Sequence, residues 1–225
     1  MSQETWEAVD VYIAQQLFPA DPALDGALAA GIEAGLPPIN VSAPQGRLLF
    51  LLAQFVGARR ILELGTLAGY SSILMARALP PGGKLITLEL DEKHAGVARA
   101  NFARAGLEKV IELRRGRALD LLPKLATEGL GPFDLIFIDA DKPNIPEYFS
   151  WALRLSRPGT AIFVDNVVRD GELANAASTD PSILGVRRFH EALRRTPGVT
   201  ATTIQTVGGK GYDGFTLVRV NEAVT

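Results

Sequence analysis

From residue 60 onward, short apolar or β-branched runs alternate with amphipathic stretches, and that rhythm restricts the fold more than any other feature. The runs are RILEL (60–64), KLITLEL (84–90), VIEL (110–113), FDLIFID (133–139) and TAIFVD (160–165). Helical patterns separate them, near 70–79, 92–105, 118–126 and 146–155. Near-continuous apolar strands alternating with helices predict a parallel sheet covered on both faces. Right-handed crossovers make it an α/β, Rossmann-like, doubly wound fold. The rhythm breaks after a helical pattern near 185–195. There VTATTIQTV (199–207) and GFTLVRV (214–220) are joined only by GGKGYD. That link is too short for a crossover helix, so the two runs predict a C-terminal antiparallel hairpin at a sheet edge.

The first 58 residues follow another pattern. Trp6, Val9, Ile13 and Leu17 stand three or four apart, as on one helix face. SAPQGRLLFLLAQFVG (42–57) offers Ser42 as an N-cap and Gly57 as a stop. Pro37 and Pro38 break the chain between these helices. The expected organisation is one domain over 1–225, with a helical N-terminal appendage over 1–58 and a Rossmann-like core over 59–225. A chain of 225 residues, 47% hydrophobic, buries a large core without covalent staples. It has no cysteine, which excludes disulfides, thiolate metal sites and thiol nucleophiles. A net charge of -2 gives no global pull toward nucleic acid or anionic membrane. The longest apolar run, LLFLLAQFV (48–56), is far shorter than the ~20 residues of a membrane span. The acidic N-terminus MSQETWEAVD does not read as a signal or transit peptide. A cytoplasmic protein is the expectation.

In such sheets ligands bind at the carboxyl ends of the strands, where strand order reverses. The first strand is followed by ELGTLAGYSS (63–72). Gly65 and Gly69 permit a tight turn and close approach to a ligand, and Ser71 and Ser72 open the next helix. Glu89 ends the second strand, where an acidic side chain accepts hydrogen bonds from ribose hydroxyls. The G-x-x-x-G spacing is not the dinucleotide G-x-G-x-x-G, and Glu63 would repel a pyrophosphate. S-adenosylmethionine, with a ribose, no phosphate and a cationic sulfur, fits better than NAD.

Asp139 ends the fourth strand; Asp165 ends the fifth and Asn166 follows it. On adjacent strands these tips converge into a hard oxygen site suited to Mg²⁺, Mn²⁺ or Ca²⁺. Lys142 lies one turn beyond Asp139, placed to act there as a base. Each feature alone has a plainer reading. Glycines serve any tight turn, aspartates cap helices and lysines are solvated surface charges. The combination favours a site. His94 and His190 fall in helical patterns and read as structural or surface residues.

Together ILELGTLAGYSS, LELD, FIDADK and VDN closely resemble the class I S-adenosylmethionine-dependent O-methyltransferases of the cation-dependent branch, the catechol and caffeoyl-CoA O-methyltransferases and their bacterial relatives. The resemblance runs from INVSAPQG (39–46) to the hairpin, and weakly through the N-terminal helices. It implies that Glu63, Gly65, Thr66, Gly69 and Ser71, with Val41, surround the methionine part of the cofactor. It implies Glu89 for the ribose, Ala118 beside the adenine, and Asp139 as a further cofactor-binding residue. It implies Asp139, Asp165 and Asn166 as metal ligands, Lys142 as the base, and a homodimer. The acceptor it implies is a small phenolic molecule with vicinal hydroxyls. The polar segment RDGELANAASTDPSILG (169–185) and the glycine-rich TVGGKGYDGF (206–215) depart from the plant pattern, so coenzyme A ester specificity does not transfer.

Two rivals stay open. One is the same chemistry on a hydroxylated tRNA uridine, for which ARR (58–60), RRGR (114–117) and the VRR and LRR clusters (186–195) supply positive charge. The other is a non-catalytic nucleoside-binding module, which would not need Lys142 beside an oxygen site.

Overall fold

Three helices precede the sheet in the computed structural model, which describes residues 2–222: α1 (Gln3–Leu17), α2 (Pro22–Glu33) and α3 (Ala43–Phe55). Ser42 caps α3, its Oγ accepting from Gln45 N at 3.3 Å. The sequence reading did not single out α2. It starts at a proline after Asp21, whose carboxylate accepts from the amides of Ala23 and Leu24. That local start signal was present. The outer ends of the expected single domain, residues 1 and 223–225, lie outside the described residues.

The core then alternates β1 (Arg60–Leu64), α4 (Tyr70–Arg77), β2 (Lys84–Glu89), α5 (Glu92–Arg104), β3 (Ile111–Arg115), α6 (Ala118–Thr127), β4 (Leu135–Ile138), α7 (Ile145–Arg154), β5 (Ala161–Asp165), α8 (Pro181–Arg195), β6 (Val199–Gly208) and β7 (Gly211–Val220). The strand order is β3-β2-β1-β4-β5-β7-β6, with β1 to β5 parallel and β7 antiparallel to both neighbours. Strand order reverses between β1 and β4, the switch point where such sheets bind ligands. The expected strands are all present. α8 begins earlier than the pattern near 185, because Asp180 caps it and accepts from Ser182 N at 2.7 Å. The hairpin link is shorter than read. β6 and β7 pair up to Gly208 and Gly211, which leaves only Gly209 and Lys210 to turn. Most of GGKGYD is therefore strand. Glycine is needed at Gly214, where an added Cβ would stand 2.3 Å from the carbonyl oxygen of Ile204.

Alternate residues of the parallel strands point to opposite faces. Leu62, Leu64, Ile136, Ile138, Ile162 and Val164 pack under α6 to α8. Ile61, Leu85, Leu135, Phe137 and Phe163 pack under the N-terminal helices, α4 and α5. Phe163 meets Phe137 edge-on and stacks on Phe215, which ties β4, β5 and β7 together. Each such aromatic pair adds about 0.5–1.5 kcal/mol beyond its buried area.

Two placements shape the space above the sheet. First, the hairpin outruns its neighbours. Asp165 pairs with Phe215, so Gly211 to Gly214 extend past the carboxyl edge of β5 and wall the space above it. Second, α1 has no buried residue; it is tied to that hairpin by Gln3 Nε2 on Gly208 O (3.1 Å) and by Gly209 N on Asp10 Oδ2 (2.8 Å). Half of its apolar stripe is open, with Val9 50% and Leu17 70% exposed. No helix among the described residues is long and apolar enough to cross a membrane.

Candidate active site

The carboxyl edge of the sheet opens into a cavity of about 830 Å³. One end is built by the turn after β1. Gly65 takes φ +95, and an added Cβ would lie 2.0 Å from the carbonyl oxygen of Asp139. The β1 and β4 tips therefore meet backbone to backbone, which no other residue allows. Glu89, 7% exposed, organises this turn. Its Oε2 accepts from Thr66 N (3.0 Å) and Leu67 N (2.9 Å), and its Oε1 from Asp91 N (2.9 Å). His94, read from sequence as structural or surface, instead lines the cavity with Nδ1 3.6 Å from Glu89 Oε1. The reason is that α5 starts at the cavity, and His94 sits in its first turn. His190 does take a structural place between Thr203 and Thr216.

Behind the turn, Glu63 is fully buried on the α4 side of β1. It accepts from Ser71 Oγ at 2.5 Å and from the Ser72 hydroxyl. Burial pushes its carboxyl up to about 7, against the pull of the serine hydroxyls and Thr87. Glu63 and Gly69 do not line the cavity, and Glu63 reaches it only through Ser71. Gly69 sits one layer back, where an added Cβ would meet the Phe102 ring at 2.4 Å.

The other end gathers the tips of β4 and β5. Lys142, 9% exposed, places Nζ 3.0 Å from Asp139 Oδ1. Asp165 is 4% exposed. It accepts from Gln45 Nε2 at 2.6 Å and from Asn166 N at 2.9 Å. Burial first, and the Asp139 carboxylate second, push Asp165 up to about 7; Lys142 and the Asn166 amide oppose them. Asn166, Arg169 and Asp170 all carry positive φ, a rare conformation for residues with a side chain. Asp213 of the overhanging hairpin holds this loop, its Oδ1 accepting from Val168 N (3.0 Å), Arg169 N (2.9 Å) and Gly214 N (2.9 Å).

Of the residues singled out from sequence, Val41, Gly65, Thr66, Ser71, Glu89, Ala118, Asp139, Lys142, Asp165 and Asn166 all face this one cavity. Gln45, Tyr148, Tyr212, Asp213 and Lys210 line it too and were not anticipated. They come from distant parts of the chain and carry no local motif. Of the basic clusters, Arg117 lines the cavity, and several others are engaged elsewhere. Arg60 and Arg187 donate to backbone carbonyls, and Arg114 pairs with Glu112 and Glu128.

The donor set at Asp139, Asp165 and Asn166 fits a hard cation. Asp165 is buried, the partly exposed Asp139 carboxylate is near enough to raise its pKa, and Asn166 follows in a turn of positive φ. Among the described residues no three His, Cys, Asp or Glu side chains are grouped to hold a metal. The protein's share would thus be two carboxylates and one amide.

Residues 22–221 match the O-methyltransferase family. The chain is 56% identical over 220 residues to the catechol O-methyltransferase of Niastella koreensis, covering 98% of this chain and 100% of that protein. The solved O-methyltransferase of Bacillus cereus in complex with SAH superposes with a TM-score of 0.96 at 53% identity, over 98% of this chain and 100% of that one. TomG of Streptomyces achromogenes, an O-methyltransferase involved in tomaymycin synthesis and solved with SAM, superposes with a TM-score of 0.95 at 54% identity, over 98% and 99%.

Proposed function

The chain belongs to the O-methyltransferase family and is an S-adenosylmethionine-dependent enzyme; from that premise we propose that it methylates one hydroxyl of a catechol-like small molecule, with a divalent cation at the acceptor end of its cavity. One observation carries this reading. The glycine turn with Glu89, and the Asp139–Lys142–Asp165 cluster, open into the same cavity, so a methyl donor and a diphenol can meet there. Relatives named for catechol support the acceptor class.

The cofactor would lie along the turn, its methionine part by Val41, Gly65, Thr66 and Ser71, and its adenine by Ala118. Glu89 would take the ribose with limited capacity. Both lone pairs of Oε2 are engaged by amides, so the hydroxyls are left to Oε1. Glu63 would act on the methionine part through Ser71. Asp139, Asp165 and Asn166 would hold the cation. When bound, it would polarise two adjacent acceptor oxygens and favour the phenolate. Lys142 would accept the phenolic proton. The phenolate oxygen then bonds to the methyl carbon as the carbon–sulfur bond breaks, leaving an aryl methyl ether and S-adenosylhomocysteine. An anion and a sulfonium become neutral, so a preorganised cavity that excludes water favours the transfer. The open stripe of α1 would pair in a homodimer; a monomer by light scattering at micromolar concentration would refute that part.

Incubation with methyl-labelled S-adenosylmethionine, Mg²⁺ and a panel of catechol, hydroxycinnamoyl esters and undermodified tRNA tests the reading. Label in catechol-type acceptors is the expected result. Label confined to tRNA, or to none of them, would overturn it.

A further inference from the structure

The hairpin tip carries into the cavity a cation that makes no ion pair among the described residues. Lys210 sits in the two-residue turn between β6 and β7 and lines the cavity. Its Nζ donates to a neutral carbonyl, Pro38 O at 2.9 Å. Arg169, in the strained loop after β5, lines the same rim. Neither cation has a carboxylate within ion-pair distance among the described residues. Nearby carboxylates in the fold include Asp170 and Asp213 on the cavity lining and Asp10 against the same turn. Asp213 Oδ1 accepts from three backbone amides, Asp10 accepts from Gly209 N, and Asp170 is exposed; none is within ion-pair distance of Lys210. Partial burial also lowers the Lys210 ammonium from its ordinary value, the usual sign of a cation losing water without gaining a counter-ion.

The topology says where such a counter-ion would come from. Asp165 pairs with Phe215, and Lys210 precedes Phe215 by five positions along the antiparallel strand. At about 3.4 Å per residue, the hairpin tip reaches up to roughly 17 Å beyond the Asp165 register position, on the strand beside it. The lysine side chain folds back over part of that distance. A diphenol seated by its two oxygens at the β4 and β5 tips would point its ring substituent out along this wall.

Resting on the proposed O-methylation of a catechol-like acceptor, we infer that Lys210, assisted by Arg169, receives an anionic group on the acceptor's ring substituent, so that the preferred acceptors are vicinal diphenols bearing a carboxylate several bonds from the ring. The same lysine holds Pro38 in place, so a purely structural latch is the competing role, and the two roles separate by charge. A latch is indifferent to the substrate's charge; an anion seat is not.

The test compares kcat/KM for a 3,4-dihydroxycinnamic acid and for its methyl ester, which share ring, length and reacting oxygens. In the wild type the acid should exceed the ester by about tenfold, as for a hydrogen bond to a charged group, with the difference in KM. Lys210→Met should bring that ratio close to one, Lys210→Arg should keep most of it, and Lys210→Glu should favour the ester. Calorimetric titration of the acid into the enzyme loaded with S-adenosylhomocysteine should lose affinity in the same order. An acid-to-ester ratio equal in wild type and Lys210→Met would leave Lys210 as a latch and overturn the inference. If the wild type methylates neither compound nor catechol itself, the proposed function fails and takes this inference with it.

Discussion

Two buried aspartates stand at opposite ends of one sheet, and the protein treats them in opposite ways. Asp134 precedes β4 at the amino edge, and Asp165 ends β5 at the carboxyl edge; they are 6% and 4% exposed. Asp134 Oδ2 accepts from the amides of Arg59 (2.8 Å) and Arg60 (2.9 Å), and Oδ1 from Arg157 Nε (3.1 Å). Burial would raise its pKa, yet these donors win and hold the carboxyl below its ordinary value. Asp165 has two donors, faces the carboxylate of Asp139, and is pushed up to about 7. Both are nearly sealed from solvent, and Asp165 lies the deeper of the two among protein atoms. They differ also in their neighbours: Asp134 meets two backbone amides and a guanidinium, whereas at Asp165 the Lys142 ammonium is opposed by the Asp139 carboxylate. Asp134 is complete and structural, whereas on the proposed function Asp165 would be completed by a cation that arrives from outside.

The comparison breaks most sharply at the carboxyl edge. Lys142→Met should lower kcat on the order of 10²–10⁴-fold at neutral pH, the usual worth of a positioned base. Raising the pH should recover part of the rate on an ionisable catechol, while thermal denaturation stays close to wild type. Wild-type turnover in this variant would make Lys142 only the ion-pair partner of Asp139. Asp134→Ala should behave inversely. Two backbone amides and a guanidinium lose their acceptor, at a cost of about 2–4 kcal/mol in a denaturant titration. Activity per folded molecule should hold. Asp165→Ala should cost less stability than Asp134→Ala, since it removes a carboxylate crowded by another; the reverse ranking would dissolve the distinction.

Two smaller effects sharpen it at the cofactor end. Glu89→Ala should weaken S-adenosylmethionine by about 1.5–3 kcal/mol in calorimetry, as for hydrogen bonds to a charged group. The amides of Thr66, Leu67 and Asp91 lose their acceptor too, so the ligand-free protein should also melt lower; unchanged affinity would refute the ribose assignment. Glu63 supplies the pH test. Its folded value of about 7 lies above the ordinary 4.5, so the folded state holds the proton more tightly than the unfolded one. Its contribution is therefore full below about 4.5 and is lost as pH rises through about 7. Against Glu63→Gln, which cannot titrate, the wild type should lose on the order of 3 kcal/mol between those limits. Parallel stability curves for the two proteins would show that Glu63 is not raised.

How much was legible in sequence divides along the same line. β1 to β5 were readable because buried parallel strands are continuous apolar runs, and the glycine turn because tight geometry demands glycine at Gly65. Asp139, Lys142, Asp165 and Asn166 were readable because each sits at the tip of such a run. What completes the acceptor end was not. Gln45 donates to Asp165 across 120 positions of sequence, and Asp213 reaches Val168 across 45. Lys210 arrives over the cavity only because β7 outruns β5, and no local pattern encodes that difference in length. That His94 borders the cavity was not legible either, because a histidine in a helical pattern does not show where that helix starts.

On the proposed function, a divalent cation would complete the unfinished charge balance at the carboxyl edge during O-methylation. The most direct test of that claim is transfer of labelled methyl from S-adenosylmethionine to catechol by protein exhaustively dialysed against EDTA. Turnover should vanish in the dialysed enzyme and return on adding Mg²⁺ or Mn²⁺, while Asp165→Ala stays inactive with either metal. Undiminished turnover after dialysis would contradict the claim and leave Asp139 and Asp165 without the role given to them.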